Sequence, residues 1–264
     1  MKFLTITLFL TFTINCFSQA VDLQPKMDSI IQEADLLFRY EKAVWISTDL
    51  LMSDKKLKKK FGGYVVYHSN DTTHVSMLDK NQTGVVARYE FVNPNFDNPS
   101  KTTIENSELS IIEQELIETK AKIIEQLSDS KYEITIPQNY NPNLVLMKSE
   151  FGYKLYILMG TSESGIIPFG NDYLFETDSV GEITDWQKFH SRMVPAQSEI
   201  PGVGKVTSSS HSHLRSTPYI TATDICTLRL YAGFTELKEF SVYSPALGIY
   251  MKYILEENKI EIVE

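Results

Sequence analysis

The sequence predicts an α+β protein, and three features of its hydrophobic pattern carry that prediction. Apolar residues recur at helical spacing from Met27 to about Met52. Short runs rich in β-branched and aromatic residues follow, and after a second helical stretch the C-terminal half is mostly strand with one short helix. No repeat of solenoid period runs along the chain.

Met27, Ile30, Ile31, Ala34, Leu37, Phe38, Val44 and Trp45 place one apolar stripe on the first helix, and Pro25 suits its first turn. The basic run at 55–60, followed by Gly62-Gly63, resembles a helix end, where cations complement the dipole and glycine caps. A solvated helix terminus accounts for those lysines better than an anionic-surface contact does. Strand patterns at 63–68, 74–78 and 85–91, with turns at Asn70-Asp71 and 81–84, predict an antiparallel meander packed on that helix. A loop at 93–103 leads to a second helix over 107–127, with Leu109, Ile112, Leu116, Ile123 and Leu127 on its apolar face. Strands are expected at 144–148, 154–160, 173–177, 182–189 and 205–213, then a helix at 221–231 and strands at 239–243, 248–255 and 259–263. The pattern suggests an N-terminal helix-and-meander unit over 21–103 and an α/β domain with a mixed sheet over 104–264.

Composition narrows the function class more than it defines it. Among 264 residues, 42% are hydrophobic and 22% charged, as in an average globular protein. The 34 acidic against 25 basic residues argue against a nucleic-acid partner, which needs clustered Lys and Arg to neutralise phosphates. Lys2, an uncharged apolar stretch over 3–12, and small residues at Ser18 and Ala20 describe a secretory signal peptide over 1–20, cleaved before Val21 or after Ser18. The stretch is short for a membrane anchor. Lipoprotein anchoring through Cys16 is the lesser reading, because Asn15 stands where a small residue is usual. Removal of the leader leaves a net charge of −10, no transmembrane stretch and one thiol, Cys226, which reads as a buried small hydrophobe. The expected location is secreted or periplasmic.

Chemistry concentrates in one segment. His211 and His213 lie two apart on a predicted strand, so both point to one face and can grip one ion. Asp224 follows eleven residues after His213 at the start of a predicted helix, with Thr221 three before it. This spacing resembles the zinc motif of JAMM metalloproteases, the JAB/MPN-domain family: His-x-His, seven residues, Ser, two residues, Asp. The strand–loop–helix–strand order around it is also similar, over roughly residues 144–264.

The resemblance implies a JAB/MPN-like domain in which His211, His213 and Asp224 ligate Zn2+, with water in the fourth position as the nucleophile. It implies that Thr221 replaces the family Ser that stabilises the oxyanion, and that an upstream Glu is the general base. Glu150 is the first candidate for that base and Glu163 the second, neither in clear register. Leu214 stands where the family usually has Pro. The function so implied is hydrolysis of a peptide or isopeptide amide outside the cytoplasm. Because many MPN domains have lost metal and activity, the alternative is an inactive binding or scaffold module of the cell envelope, with a protein or peptide partner.

A metal-free reading also exists, since Thr221-Ala-Thr-Asp224 is a capping box. It leaves the histidine pair unexplained. His68, His74 and His190 are isolated in sequence and read as surface or strand polar positions. The stretch 160–165 reads as a turn, and Ser208–Ser210 has no base positioned by the sequence.

Overall fold

The computed structural model describes residues 22–263; the expected leader and Cys16 lie outside them. Helix α1 (Gln24–Ser53) carries Pro25 in its first turn and, at 30 residues, runs about 45 Å. Asp54 then leaves helical geometry, and its carboxylate accepts the backbone N–H groups of Lys56 and Leu57. The basic run therefore forms a separate short turn, α2 (Lys55–Lys58), rather than the end of α1.

Strands β1 (Phe61–Ser69), β2 (Thr72–Asp79) and β3 (Gly84–Val92) form the expected antiparallel meander. Two short strands, β4 (Lys101–Thr103) and β5 (Ser107–Glu108), add to β3. Because Ser107 and Glu108 join that edge, the second helix, α3 (Ile111–Gln126), begins later than the apolar pattern suggests. Its start is set by a capping box between Ser110 and Glu113.

A second antiparallel sheet has β6 (Tyr140–Lys148) and β7 (Gly152–Thr161) at one side. After the short β8 (Ile166–Ile167), β9 (Tyr173–Asp178) and β10 (Ile183–Lys188) complete it in the order β10-β9-β7-β6. The chain then makes β11 (Ala196–Gln197), which pairs with β8, and the hairpin β12 (Glu199–Ile200) with β13 (Gly204–Lys205). The strand expected over 205–213 is thus split. Lys205 belongs to that hairpin, the Val206 N–H donates to the Ser198 carbonyl, and sheet pairing resumes only at β14 (Ser208–Ser212). Helix α4 (Ala222–Tyr231) crosses over to β15 (Glu239–Ser244), which lies parallel to β14. Strands β16 (Ile249–Ile254) and β17 (Lys259–Val263) follow antiparallel, so this third sheet is mixed. The architecture is α+β.

The two units expected on either side of residue 103 share a core. Leu37, Tyr40, Val75 and Phe91 pack in one cluster with Tyr156, Leu158, Cys226 and Leu230. The reason lies in α1, which is long enough to serve two clusters: Met27, Ile30 and Ala34 join Ile225, Leu228, Phe240 and Tyr253 over the mixed sheet. Helix α4 is buried on nearly every side, as a helix between layers must be. Cys226 is fully buried there, and burial pushes its thiol well above the usual range. Among the described residues no helix is long and apolar enough to cross a membrane.

One ion pair locks α3 to the meander. Arg88 Nε and Nη2 each lie 2.8 Å from a Glu113 carboxylate oxygen, and Ser76 also donates to it. Burial works against the Glu113 charge, but the Arg88, Ser76 and Ser110 donors outweigh it and hold the acid down at about 2. The folded state therefore gains stability that is fully present above the ordinary carboxylate value and is lost as pH falls toward 2. Chemical denaturation between pH 5 and pH 2 should show a drop on the order of 3 kcal/mol from this residue. Glu113→Gln should be less stable at pH 6 and should lack that part of the slope.

Candidate metal centre

Three elements converge on one buried point. The first is the β9–β10 hairpin, whose ends bring Asp172 and His190 side by side: Lys188 pairs with Tyr173, and the Phe189 N–H donates to the Asp172 carbonyl. The approach is tight. Gly170 has φ +86°, and a Cβ there would sit 2.5 Å from the Arg192 carbonyl oxygen, so only glycine fits.

The second element is β14. Its residues alternate, with Ser208, Ser210 and Ser212 exposed and Ser209 and His211 turned inward. His213 continues that alternation just past the strand, its N–H donating to the Tyr243 carbonyl. The two imidazoles face the same way, with centroids 5.0 Å apart. Phe169 and Phe240 pack on His211 and close one side.

The third element is the first turn of α4. Thr221 is its N-cap and Asp224 occupies the third position, forming the capping box legible in the sequence. Both readings of the segment hold at once, because the two carboxylate oxygens do different things. Asp224 Oδ2 accepts the Thr221 N–H at 3.0 Å and the Thr221 hydroxyl at 2.7 Å. Asp224 Oδ1 is buried and has no hydrogen-bond partner.

That orphan oxygen faces two imidazole nitrogens, and a third lies against its partner oxygen. It lies 3.6 Å from His190 Nε2 and 3.7 Å from His211 Nε2, while His213 Nε2 is 3.2 Å from Oδ2. His190 Nε2 is 2.9 Å from the Nε2 of both His211 and His213. Four ligands at about 2.0–2.1 Å from a tetrahedral ion stand about 3.3 Å from one another. The observed separations bracket that value, and one ligand atom from each of the four residues lies within 4.8 Å of every other. His190, His211, His213 and Asp224 can hold a metal ion.

The surroundings orient the ligands. His190 Nδ1 is 2.6 Å from Asp172 Oδ1, and Thr223 donates to the other Asp172 oxygen. His213 Nδ1 donates to the Tyr219 carbonyl at 2.7 Å. Each contact places a proton on Nδ1 and leaves Nε2 to turn its lone pair inward, the arrangement of metal-bound histidine.

Electrostatics agree with geometry. Burial works against charge on His190, yet Asp172 and Asp224 raise it to about 9. Burial pushes His211 down to about 4 against the pull of Asp224, with His190 and His213 reinforcing the fall. Burial also opposes the Asp224 carboxylate, but the histidines hold it well below the usual range. Without an ion, one His190 proton would serve two imidazole acceptors and Asp224 Oδ1 would go unpaired. A cation satisfies all four lone pairs together.

The structure thus brings together His211, His213 and Asp224, and adds a ligand that the sequence reading placed elsewhere. His190 is not an isolated surface or strand polar position; it is buried, 3% exposed at the side chain, and faces the cluster. It precedes His211 by 21 residues and reaches the site through sheet pairing, so no local spacing announces it or Asp172.

The expected catalytic residues lie differently. Thr221 is buried, with its hydroxyl donating to Asp224 Oδ2. Glu150 is exposed in the turn between β6 and β7. Gly152 beside it pairs with Asp178, whereas Asp172 flanks the opposite end of β9. Six residues of strand put Glu150 about 20 Å from the centre. Glu163 is exposed and accepts a hydrogen bond from Asn139 at 2.8 Å. Neither acid belongs to the cluster.

Comparisons with protein-family models, with curated proteins and with solved structures gave no match. Asp172 offers a direct check on the ligand orientation. Asp172→Asn should weaken metal affinity by roughly 10–100-fold, measured by competition with a chromophoric chelator. An unchanged affinity would show that the Asp172–His190 contact does not orient a ligand.

Proposed function

We propose that this protein is an exported binding or scaffold module whose fold is clamped by a Zn2+ ion held by His190, His211, His213 and Asp224. The observation that carries this reading is the closed ligand set. A structural zinc site fills all four positions with protein atoms, whereas a catalytic one keeps a position for water. Here His190 stands where a nucleophilic water would be required, and none of the four ligand side chains is more than 5% exposed. Imidazole and carboxylate ligands in a tetrahedral arrangement favour zinc over the harder, six-coordinate cations.

The His-x-His…Asp spacing supports kinship with JAB/MPN domains, and the closed site with its distant Glu150 supports the inactive branch of such a family rather than an amide hydrolase. The partner class is then a peptide or protein outside the cytoplasm, consistent with the leader-like N-terminus and the acidic surface.

Metal analysis of the purified protein should find about one zinc per chain, and little in a His211→Ala/His213→Ala double variant. Removal of zinc by a chelator should lower the unfolding midpoint, with a loss of roughly 4 kcal/mol if free zinc had stood near a thousand times its dissociation constant. Hydrolysis of unstructured peptide or isopeptide substrates should be absent in the zinc-loaded protein. Zinc-dependent cleavage that the double variant loses would overturn the scaffold reading, and equal zinc content in both proteins would overturn the ligand assignment.

A further inference from the structure

A second site lies toward the C-terminal end of α4 and shares no residue with the metal centre. Between α1, the start of β1, the β6–β7 pair and the end of α4 is a cavity of about 430 Å³, within the range of small-ligand sites. Its walls are aromatic: Trp45, Phe61, Tyr64 and Tyr231 all line it. The Trp45 ring is fixed by stacking on Phe234 at 5.8 Å and by an edge contact with Tyr231 at 5.5 Å. The charged residues of the lining are both acids, Glu41 and Asp49.

Glu41 is the unusual member. It is 6% exposed, in the middle of a helix, beside an apolar cluster. Among the described residues its one hydrogen bond comes from Asn143 Nδ2, at 3.0 Å, to Oε2. Lys120 is close enough to favour its charge, but that ammonium donates to the Leu144 carbonyl at 2.8 Å and sits over the Tyr64 ring. Glu41 Oε1 is therefore left with no protein partner, and burial raises the carboxyl to about 7 despite Asn143 and Lys120. A buried carboxylate in this state is stabilised by whatever cation enters beside it.

We propose that this cavity binds a small primary amine, with the protonated amino group on Glu41 and an aromatic or aliphatic body between Trp45, Tyr64 and Tyr231. A primary ammonium can donate to the free Glu41 oxygen while it compensates the charge, and the aromatic faces favour a cation by their quadrupoles. An anionic ligand would meet two acids and no lining cation. A neutral one would gain nothing from the Glu41 charge, which burial then disfavours.

The test uses the full chain with its metal and three probes of one shape: phenethylamine, 2-phenylethanol and phenylacetate. Trp45 is one of only two tryptophans, so binding is read from intrinsic fluorescence and by calorimetry. Phenethylamine should bind saturably in the low-millimolar range or tighter, at least tenfold more tightly than 2-phenylethanol, with phenylacetate weakest. Glu41→Gln should cut amine affinity at least tenfold while leaving the alcohol unchanged, and should fold normally because it removes a buried ionisable group. The wild-type ranking of amine over alcohol decides the matter even without that variant. No saturable binding of the amine, equal binding of amine and alcohol, or an unchanged amine affinity in Glu41→Gln would each overturn the proposal.

Discussion

A carboxylate sealed inside a protein must meet positive charge or hydrogen-bond donors, or it takes up a proton. Asp224 meets that demand in two halves. One oxygen is saturated by the N-terminus of α4, through the Thr221 N–H and hydroxyl and in the favourable end of the helix dipole. The other has no hydrogen-bond partner and lies 3.6 Å and 3.7 Å from the Nε2 atoms of His190 and His211. Everything around the centre follows from satisfying that second oxygen. The β9–β10 hairpin delivers His190, β14 delivers the histidine pair, and α4 must enter between them at one height.

The apolar frame holds α4 where this requires. Its buried residues serve two clusters, Ile225 and Leu228 on the mixed sheet, Cys226 and Leu230 against α1 and the other sheets. Its far end is anchored by Arg229, which pairs with Asp35 on α1 and lies over the Phe38 ring at 4.2 Å. Asn258, between β16 and β17, donates to the same aspartate at 3.1 Å. Helix α4 is thus fastened at its first turn by polar chemistry and at its last by an ion pair, with hydrophobic packing between. The same helix sends Thr227, Leu230 and Tyr231 to the cavity that holds Glu41, so the centre and the cavity lie toward opposite ends of one fixed element.

A set of four protein ligands would separate two functions that the local motif leaves together. A His-x-His and a distant Asp suit an open hydrolytic zinc and a closed structural one equally well. The difference lies in the fourth position, which His190 fills, and in the placing of Glu150 and Glu163 away from the cluster. Both depend on how the second sheet is placed against the third, not on the segment between His211 and Asp224.

Much of the fold was legible because it is written in local periodicity. The apolar stripe from Met27 predicts α1, the alternating runs predict β1 to β3, and the capping chemistry of Thr221 and Asp224 marks the start of α4. His211 and His213 declared themselves by a spacing of two, which a strand converts into a shared face. Where prediction slipped, a long-range contact decided: Ser107 and Glu108 joined a sheet edge instead of a helix, and Lys205 joined a hairpin instead of β14. The sequence by itself determined the α+β class and pointed to three of the four residues that could hold a metal, since helix and strand periodicity and the His-x-His pair with its following helix cap are local patterns. Only the tertiary structure decided that His190 and Asp172 join the cluster, that residues from both expected units pack together in one apolar cluster, and that Glu41 faces a cavity. Each of these depends on pairing between residues far apart in the chain, and no spacing in a sequence records which strands and helices will meet.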